Sequence, residues 1–384
     1  MNFGKKKSSE KNEEVFAVPQ TYPNVHPYSY LFNSGSEKIN RKLYSSLREA
    51  IPIIDASIQK LVRLVGTFSI ESAEENIGDQ VNKFLSDVNV GTLSKGINAF
   101  MTSYLDQLLT YGTAVGEMIV DGDKIVSLYN ADLDSVELSY GKSPLNVEIS
   151  CDNGAGHFVP IKYPQLVLVS TLNPKPDEIY GTSLLKGLPF VSDILLKIYN
   201  TIGTNWERIG NIRYAVTYKP QNDSTDRAYA KQRAQQVAEQ WGKTMQSSGP
   251  VKDFVAVGDV NIRVIGADNQ ILDSEVPVRQ MLEQIVAKLG VPPYILGLNW
   301  SSTERMSSQQ ADILTTEIEY YREILNPIIR KICNMFLHLK GYDSEFDIVW
   351  NDITLQDELQ LAQAKYYNAQ AENLLNEGGK NNGE

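Results

Sequence analysis

The chain has 384 residues, 42% hydrophobic and 22% charged, close to ordinary globular proteins and long enough for two or three lobes. No apolar run approaches the roughly 20 residues of a membrane-crossing helix, and the N-terminal "MNFGKKKSSEKNEE" has no apolar stretch behind its lysines, so neither a membrane span nor a secretory signal is expected. Cys151 and Cys333 make no disulfide framework and suit a reducing compartment, while a net charge of −11 argues against tight nonspecific binding of nucleic acid over the whole surface.

Residues 1–35 are polar, with Pro19, Pro23 and Pro27 among Tyr and Asn, and read as a disordered or extended arm. From Ser36 a helical pattern places Leu43, Leu47, Ile51, Ile54, Ile58, Leu61 and Val65 on one side, divided or kinked at Pro52. A second helix carries Ile97, Phe100, Met101, Tyr104, Leu105 and Leu108 and stops at Gly112. "AVGEMIVDGDKIVSLYNAD" then reads as a hairpin turning on Asp121-Gly122-Asp123, and the segments around 135–150 and 158–170 are expected to extend the same sheet.

"NPKPDEIYGTSLLKG" breaks the strand pattern. The helix after it carries Leu184, Leu188, Val191, Leu195, Ile198, Ile202 and Ile209 at near-heptad spacing, a seam suited to a neighbouring helix, with Pro189 at its start. Residues 211–272 read as a small strand–helix–strand–strand insert. A helix with Val278, Met281, Leu282, Ile285 and Leu289 on one face follows, capped by Gly290 ahead of Pro292. The longest helix, about 307–339, shows Leu314, Ile318, Tyr321, Leu325, Ile328, Ile332, Phe336 and Leu339, with Pro327 in its middle to kink it. "FDIVW" reads as a strand and the stretch from Thr354 as a final helix.

Catalytic constellations are scarce. His26, His157 and His338 are scattered, and no phosphate-cradling glycine loop or nucleophile elbow occurs. Asp121/Asp123 and Asp132/Asp134 could be imagined as a two-metal site, but "DGD" is turn chemistry and "DLDS" leads into a strand. Charge is uneven: residues 182–289 hold 13 basic and 11 acidic side chains, whereas 341–384 hold two against nine. Abundant architecture without a catalytic set points to a structural or conduit role.

Three stretches, in order, resemble one family. "LTYGTAVGEMIVDGDKIVSLYNAD" is similar to its helix, glycine turn and hairpin, and "YGTSLL" before a long helix to the start of its stem. "IVAKLGVPPYILGL", a Ser/Thr-rich stretch and "EIEYYREILNPIIRKICNMF" are similar to its Gly-Val-Pro-Pro loop and proline-interrupted helix. The family is the portal proteins of tailed bacteriophages, head-to-tail connectors, in the short-crown form, and the resemblance spans about residues 36–367.

The resemblance implies an α+β portal fold. Its parts would be an arm (1–35), a mixed wing domain (36–175), a stem helix (176–209), a small α/β clip insert (210–272) and a second stem helix (273–289). A tunnel loop (290–306), a long tunnel helix (307–340) kinked at Pro327, a wing strand with a short crown helix (341–367) and a flexible tail (368–384) would follow. It further implies a homo-oligomeric ring, a dodecamer, at one capsid vertex of a virion assembled in host cytoplasm. Double-stranded DNA would pass through it, and the terminase large subunit, capsid and scaffolding proteins and a head–tail adaptor would be partners. No enzyme activity, cofactor, metal or membrane is implied. A seam on a stem helix needs a partner, which neighbours in a ring supply.

In the loop, Gly290, Pro292 and Pro293 are the expected hinge, and Tyr294, Ile295, Leu296 and Leu298 its packed base. Asn299, Ser301, Ser302 and Thr303 offer neutral hydrogen bonds to phosphate, and Arg305 is the only basic residue between Gly290 and Arg322. Trp300 is open between facing DNA and packing. Ser301 with Glu304 and Ser307 with Gln310 are two capping-box patterns, so the tunnel helix has two possible starts and the segment between could wind and unwind; the simpler alternative is one longer helix. The rival readings are another phage head–tail structural component, a metal-dependent nucleic-acid enzyme and a cytoplasmic adaptor for partner helices.

Overall fold

A computed structural model describes residues 37–353 other than 144–145, 155, 177, 211–212, 219–228, 230, 233, 237–238, 240–259, 266–273 and 299–303. The expected arm, most of the insert, the crown helix and the tail therefore lie outside the described residues. Helix α1 (Glu37–Ala50) ends two residues before Pro52, which opens α2 (Pro52–Leu64) at its first position. There the missing N–H costs nothing and the fixed φ suits the helix, so the proline divides the pattern instead of bending it.

Two elements absent from the sequence reading follow: strand β1 (Phe68–Ser72) and helix α3 (Glu75–Asp87). The Asn82 side chain on α3 faces the free edge of β1. Its Oδ1 accepts from the Ile70 N–H at 2.9 Å, and its Nδ2 donates to the Ile70 carbonyl at 2.8 Å. On its other edge β1 pairs antiparallel with β12 (Phe346–Trp350), almost the whole described chain away.

After the short strands β2 (Asn89–Val90) and β3 (Ser94–Lys95) comes α4 (Ile97–Tyr111), the helix at the centre of the main core. Phe100, Tyr104, Leu105, Leu108 and Leu109 on it are fully buried. Gly112 ends it with φ +80°, the left-handed conformation in which glycine meets no Cβ penalty. Strands β4 (Thr113–Asp121) and β5 (Lys124–Asn130) form the expected hairpin, with Gly122 at φ +60° opening its two-residue loop.

One expectation fails. Of the segments expected to extend the hairpin only β9 (Val167–Thr171) does, and with β2 and β3 on the other side the sheet has five strands ordered β3-β2-β5-β4-β9. Strands β6 (Val136–Tyr140), β7 (Val147–Asp152) and β8 (Phe158–Pro160) make a separate antiparallel sheet with its own small core around Val115, Leu133 and Val167. Which sheet a strand joins is decided by contacts between residues far apart, which strand periodicity does not encode.

The two "YGT" triplets of the sequence meet where the sheet hands over to the helices. Gly112 accepts from the Leu172 N–H at 2.8 Å, and Leu172 accepts from the Thr182 N–H at 2.6 Å. Ser183 Oγ donates to the Thr110 carbonyl, and the Gly181 N–H donates to Thr113 Oγ1. A Cβ built on Gly181 would lie 1.9 Å from the Gly112 carbonyl oxygen. Two backbones thus cross with no room for a side chain on either.

Beyond this crossing, α5 (Leu188–Gly210) leads to β10 (Arg213–Tyr218), which pairs with β11 (Val260–Ile265); α6 (Glu275–Leu289) returns alongside α5. The long α7 (Glu304–Lys340) has 37 residues, about 55 Å at 1.5 Å per residue. It begins three residues earlier than the sequence suggested, so the Ser307–Gln310 pattern lies inside the helix. Leu314, Ile318, Tyr321, Leu325, Ile329, Ile332 and Leu337 bury one face of it in the main core.

Candidate functional site

The loop root is the candidate site's foundation. Gly290 closes α6 at φ +68°, its N–H donating to the Val286 carbonyl. Pro292 then sets an extended step and Pro293–Leu296 coil into a single 3-10 turn, ended by Gly297 at φ +75°. Ile295 and Leu296 pack on the main core, while Tyr294 stays partly exposed and its phenol is raised by burial and by the nearby Asp312 carboxylate. The Ile295 and Gly297 N–H groups donate to Pro292 and Tyr294 carbonyls at 3.1 Å, and Leu298 N–H to Pro293 at 3.0 Å. Gly290, Pro292 and Pro293 therefore belong to a hydrogen-bonded, core-anchored turn.

Asn299, Trp300, Ser301, Ser302 and Thr303 lie outside the described residues. Arg305 is described, and it stands on the first turn of α7, exposed. It heads a strip that the sequence reading missed: Arg305, Gln309, Asp312, Thr316, Glu319 and Glu323, all exposed. Their steps of four and three residues keep them on one face, opposite the core face. The alternation was legible in the sequence as polar residues in the gaps of the Leu314–Ile318–Tyr321–Leu325 pattern. The strip offers three carboxylates against one guanidinium. Pro327 lies within the same helix, which continues through it to Lys340. The proline leaves the Glu323 carbonyl without its usual helical donor.

Polar groups hold α7 to its neighbours. Arg322 is buried, and among the described residues no carboxylate salt-bridges it; its Nε and Nη2 both donate to the Val65 carbonyl, at 3.0 and 2.7 Å, and Nη2 donates to the Asn351 carbonyl at 2.8 Å. Its guanidinium also lies 5.0 Å from the Trp350 ring centre, and burial lowers its pKa. A cation at the C-terminal end of α2 is favourable to that helix, where unpaired carbonyls carry partial negative charge. Lys331, its pKa lowered by burial, donates to the Val167 carbonyl at 2.6 Å, and Tyr320 donates to Asn173 Oδ1 at 2.9 Å. These bonds tie α7 to α2, β12, β9 and the segment after β9.

Helix α5 carries the second feature. Leu188, Ser192 and Leu195 are buried, Leu195 at 0% exposure. The same steps of four and three continue to Tyr199, Ile202 and Trp206, where Tyr199 is 44% and Trp206 61% exposed. Leu196 beside them is exposed too. Of the seam expected from sequence, Ile198 and Ile202 are half-buried, and Tyr199 and Trp206 beside them, absent from that seam, are the open apolar positions. Across from it, α6 exposes Val276.

The carboxylate pairs considered for metal do not converge. Asp123 faces Lys340 Nζ at 3.6 Å, Asp132 Oδ1 accepts from the Asp134 N–H, and Asp134 pairs with Arg41 at 2.9 Å. Among the described residues no group of three His, Cys, Asp or Glu could hold a metal ion, and no helix is long and apolar enough to cross a membrane.

No protein-family model and no curated protein matches this sequence. Solved structures do. A chain in the neck of the native gene transfer agent particle, computed with C12 symmetry, matches with a TM-score of 0.61 at 14% identity, over 85% of this chain and 88% of that one. A chain in the virion of the native gene transfer agent particle also matches with a TM-score of 0.61, at 12% identity over 85% and 89%. An HK97-family phage portal protein from Corynebacterium diphtheriae gives a looser match, with a TM-score of 0.42 at 12% identity over 79% and 94%. The fold of this chain is that of a subunit in the neck of a gene transfer agent particle.

Proposed function

We propose that this chain is a portal subunit, the head–tail connector of a tailed phage or phage-like particle, and that it works as a ring around a channel for double-stranded DNA. The carrying observation is the α5 seam, whose apolar steps are buried at Leu188 and Leu195 and open at Tyr199 and Trp206. Large aromatic side chains left in water along a helix mark a surface that another chain covers. In a head-to-tail ring each copy offers one flank of its stem to the next, and a rotation that closes gives a fixed number of copies. The C12 symmetry of the gene transfer agent neck supports a dodecamer as that number.

The acidic strip of α7 and the loop before it suit the channel wall. Affinity for duplex DNA grows with the number of phosphates neutralised by Lys or Arg, because each contact releases condensed counterions. A wall that offers Arg305 alone among Asp312, Glu319 and Glu323 holds DNA weakly and lets it slide. The loop residues Asn299, Trp300, Ser301, Ser302 and Thr303 would ride on the anchored 3-10 turn and touch the backbone without reading sequence. On this reading the terminase large subunit docks at the insert between β10 and β11, capsid and scaffolding proteins surround the β-rich lobe, and a head–tail adaptor joins from outside. The ring assembles in host cytoplasm and remains in the virion, with no chemistry of its own.

Electron microscopy of the purified protein in negative stain, with native mass spectrometry, tests the proposal. Rings with a central hole and about a dozen copies are expected. A compact dimer or monomer that persists at high concentration and in the presence of scaffolding protein would overturn it.

A further inference from the structure

The separate three-stranded sheet has one apolar face that its own core covers only in part. Cross-strand partners share a face, so the register places Val136, Cys151 and Val159 together, with Leu138, Ile149 and Ile161 beside them and Tyr140 with Val147 at the end. The opposite face carries Glu137, Ser139, Glu148 and Ser150. Val136 and Leu138 are buried, but Tyr140 is 48%, Val147 44% and Val159 50% exposed, and Cys151 is exposed as well. Four exposed positions, Tyr140, Val147, Cys151 and Val159, thus flank a half-buried Ile149.

Helix α1 points at this sheet. Taken backwards along α1, Arg48 binds Asp106 on α4, Ser45 hydrogen-bonds Tyr111 at the end of α4, and Arg41 reaches Asp134 beyond it. Asp134 is two residues before β6, and the adjoining Ser135 accepts from the Asp152 N–H of β7. The chain ahead of α1 therefore heads from α4 towards the sheet. A cleft of about 340 Å3 between α1 and the 132–134 turn, lined by Arg41, Lys42, Tyr111 and Leu133 among others, lies on this path.

The residues just ahead of α1 read "YSYLFNSGS", with Tyr28, Tyr30, Leu31 and Phe32 four to eight positions before Ser36. From Phe32 to Glu37 an extended chain covers about 17 Å, and from Asp134 to Tyr140 the strand covers about 20 Å, so these side chains are within reach of the open margin. We propose that residues 28–36 of the same chain lie across the apolar face of the β6–β7–β8 sheet and cover Tyr140, Val147 and Cys151 with Tyr30, Leu31 and Phe32. Two apolar surfaces that would each be costly in water then cover one another.

Cys151 is a built-in reporter. Cys333 is fully buried and its thiol is pushed up to about 12 by that burial, so a maleimide at pH 7.5 reads Cys151 in the folded protein. In the full-length chain Cys151 should react slowly, and the triple substitution Tyr30→Asp, Leu31→Asp, Phe32→Asp should speed it roughly tenfold while circular dichroism stays unchanged. Equal rates in the two proteins would overturn the proposal. A second variant, Tyr30→Cys, joined to Cys151 by a short bis-maleimide, should give a cross-linked product of monomer mass. A product of twice that mass would assign the face to the arm of a neighbouring copy and overturn the same-chain assignment. Either mass is read independently of whether the chain forms a ring.

Discussion

The root of α5 and its continuation are built from one sequence rhythm, yet they live in different surroundings. At the root, Leu188 and Leu195 are sealed in the main core, next to the crossing at Gly112 and Gly181 where two backbones touch. One and three turns beyond Leu195, Tyr199 and Trp206 continue the same face in open water. The contrast teaches that periodicity says where a helix is sticky, not whether its own chain or another supplies the cover. It also separates two kinds of stability: the root bears on whether the chain folds, and in the proposed ring the continuation would bear on whether copies assemble.

Substitutions can sharpen that separation, and the largest effect belongs to the crossing. Gly181→Ala forces a methyl into the Gly112 carbonyl, and backbone on both sides leaves little to yield. Urea unfolding should show a loss of about 3 kcal/mol or more, or no folded protein at all. Leu195→Ala empties a fully buried site and should cost about 3 kcal/mol in the same measurement. Arg322→Met keeps the bulk but strands the Val65 and Asn351 carbonyls, for about 1–3 kcal/mol. Trp206→Ser sits at the other end of the scale, with less than about 0.5 kcal/mol on the isolated subunit. If Trp206→Ser nonetheless abolishes the high-mass species in native mass spectrometry, the contrast holds. If it destabilises the subunit as much as Leu195→Ala does, the two halves of α5 are not distinct.

Local signals were the legible ones. The left-handed glycines at 112 and 290, the Gly122 hairpin, the division at Pro52 and the long helix through Pro327 each depend on residues within one or two turns. The strand β1 was not legible, because "FSIES" has no strict alternation and its partner β12 lies some 280 residues away. The two "YGT" triplets were visible as words, but nothing local says that they touch. At the candidate site the Gly290 helix cap ahead of Pro292 was legible. The buried Arg322 was not, since one arginine among apolar neighbours looks the same whether it is a surface charge or a staple. Two capping patterns left the start of α7 open in the sequence, and the helix already includes Glu304, ahead of the second pattern.

Asn82 returns the question of cover to assembly. A strand with an unoccupied edge invites further strands without limit, and a ring of the kind proposed for this chain would not tolerate open-ended growth. By presenting an amide that satisfies both outward groups of Ile70, Asn82 makes the β1 edge at that point inert to backbone pairing. Self-recognition through strand addition is closed there, which in the proposed ring would leave the helical flanks to count the copies. A single side-chain amide can thus favour a finite assembly over a fibre.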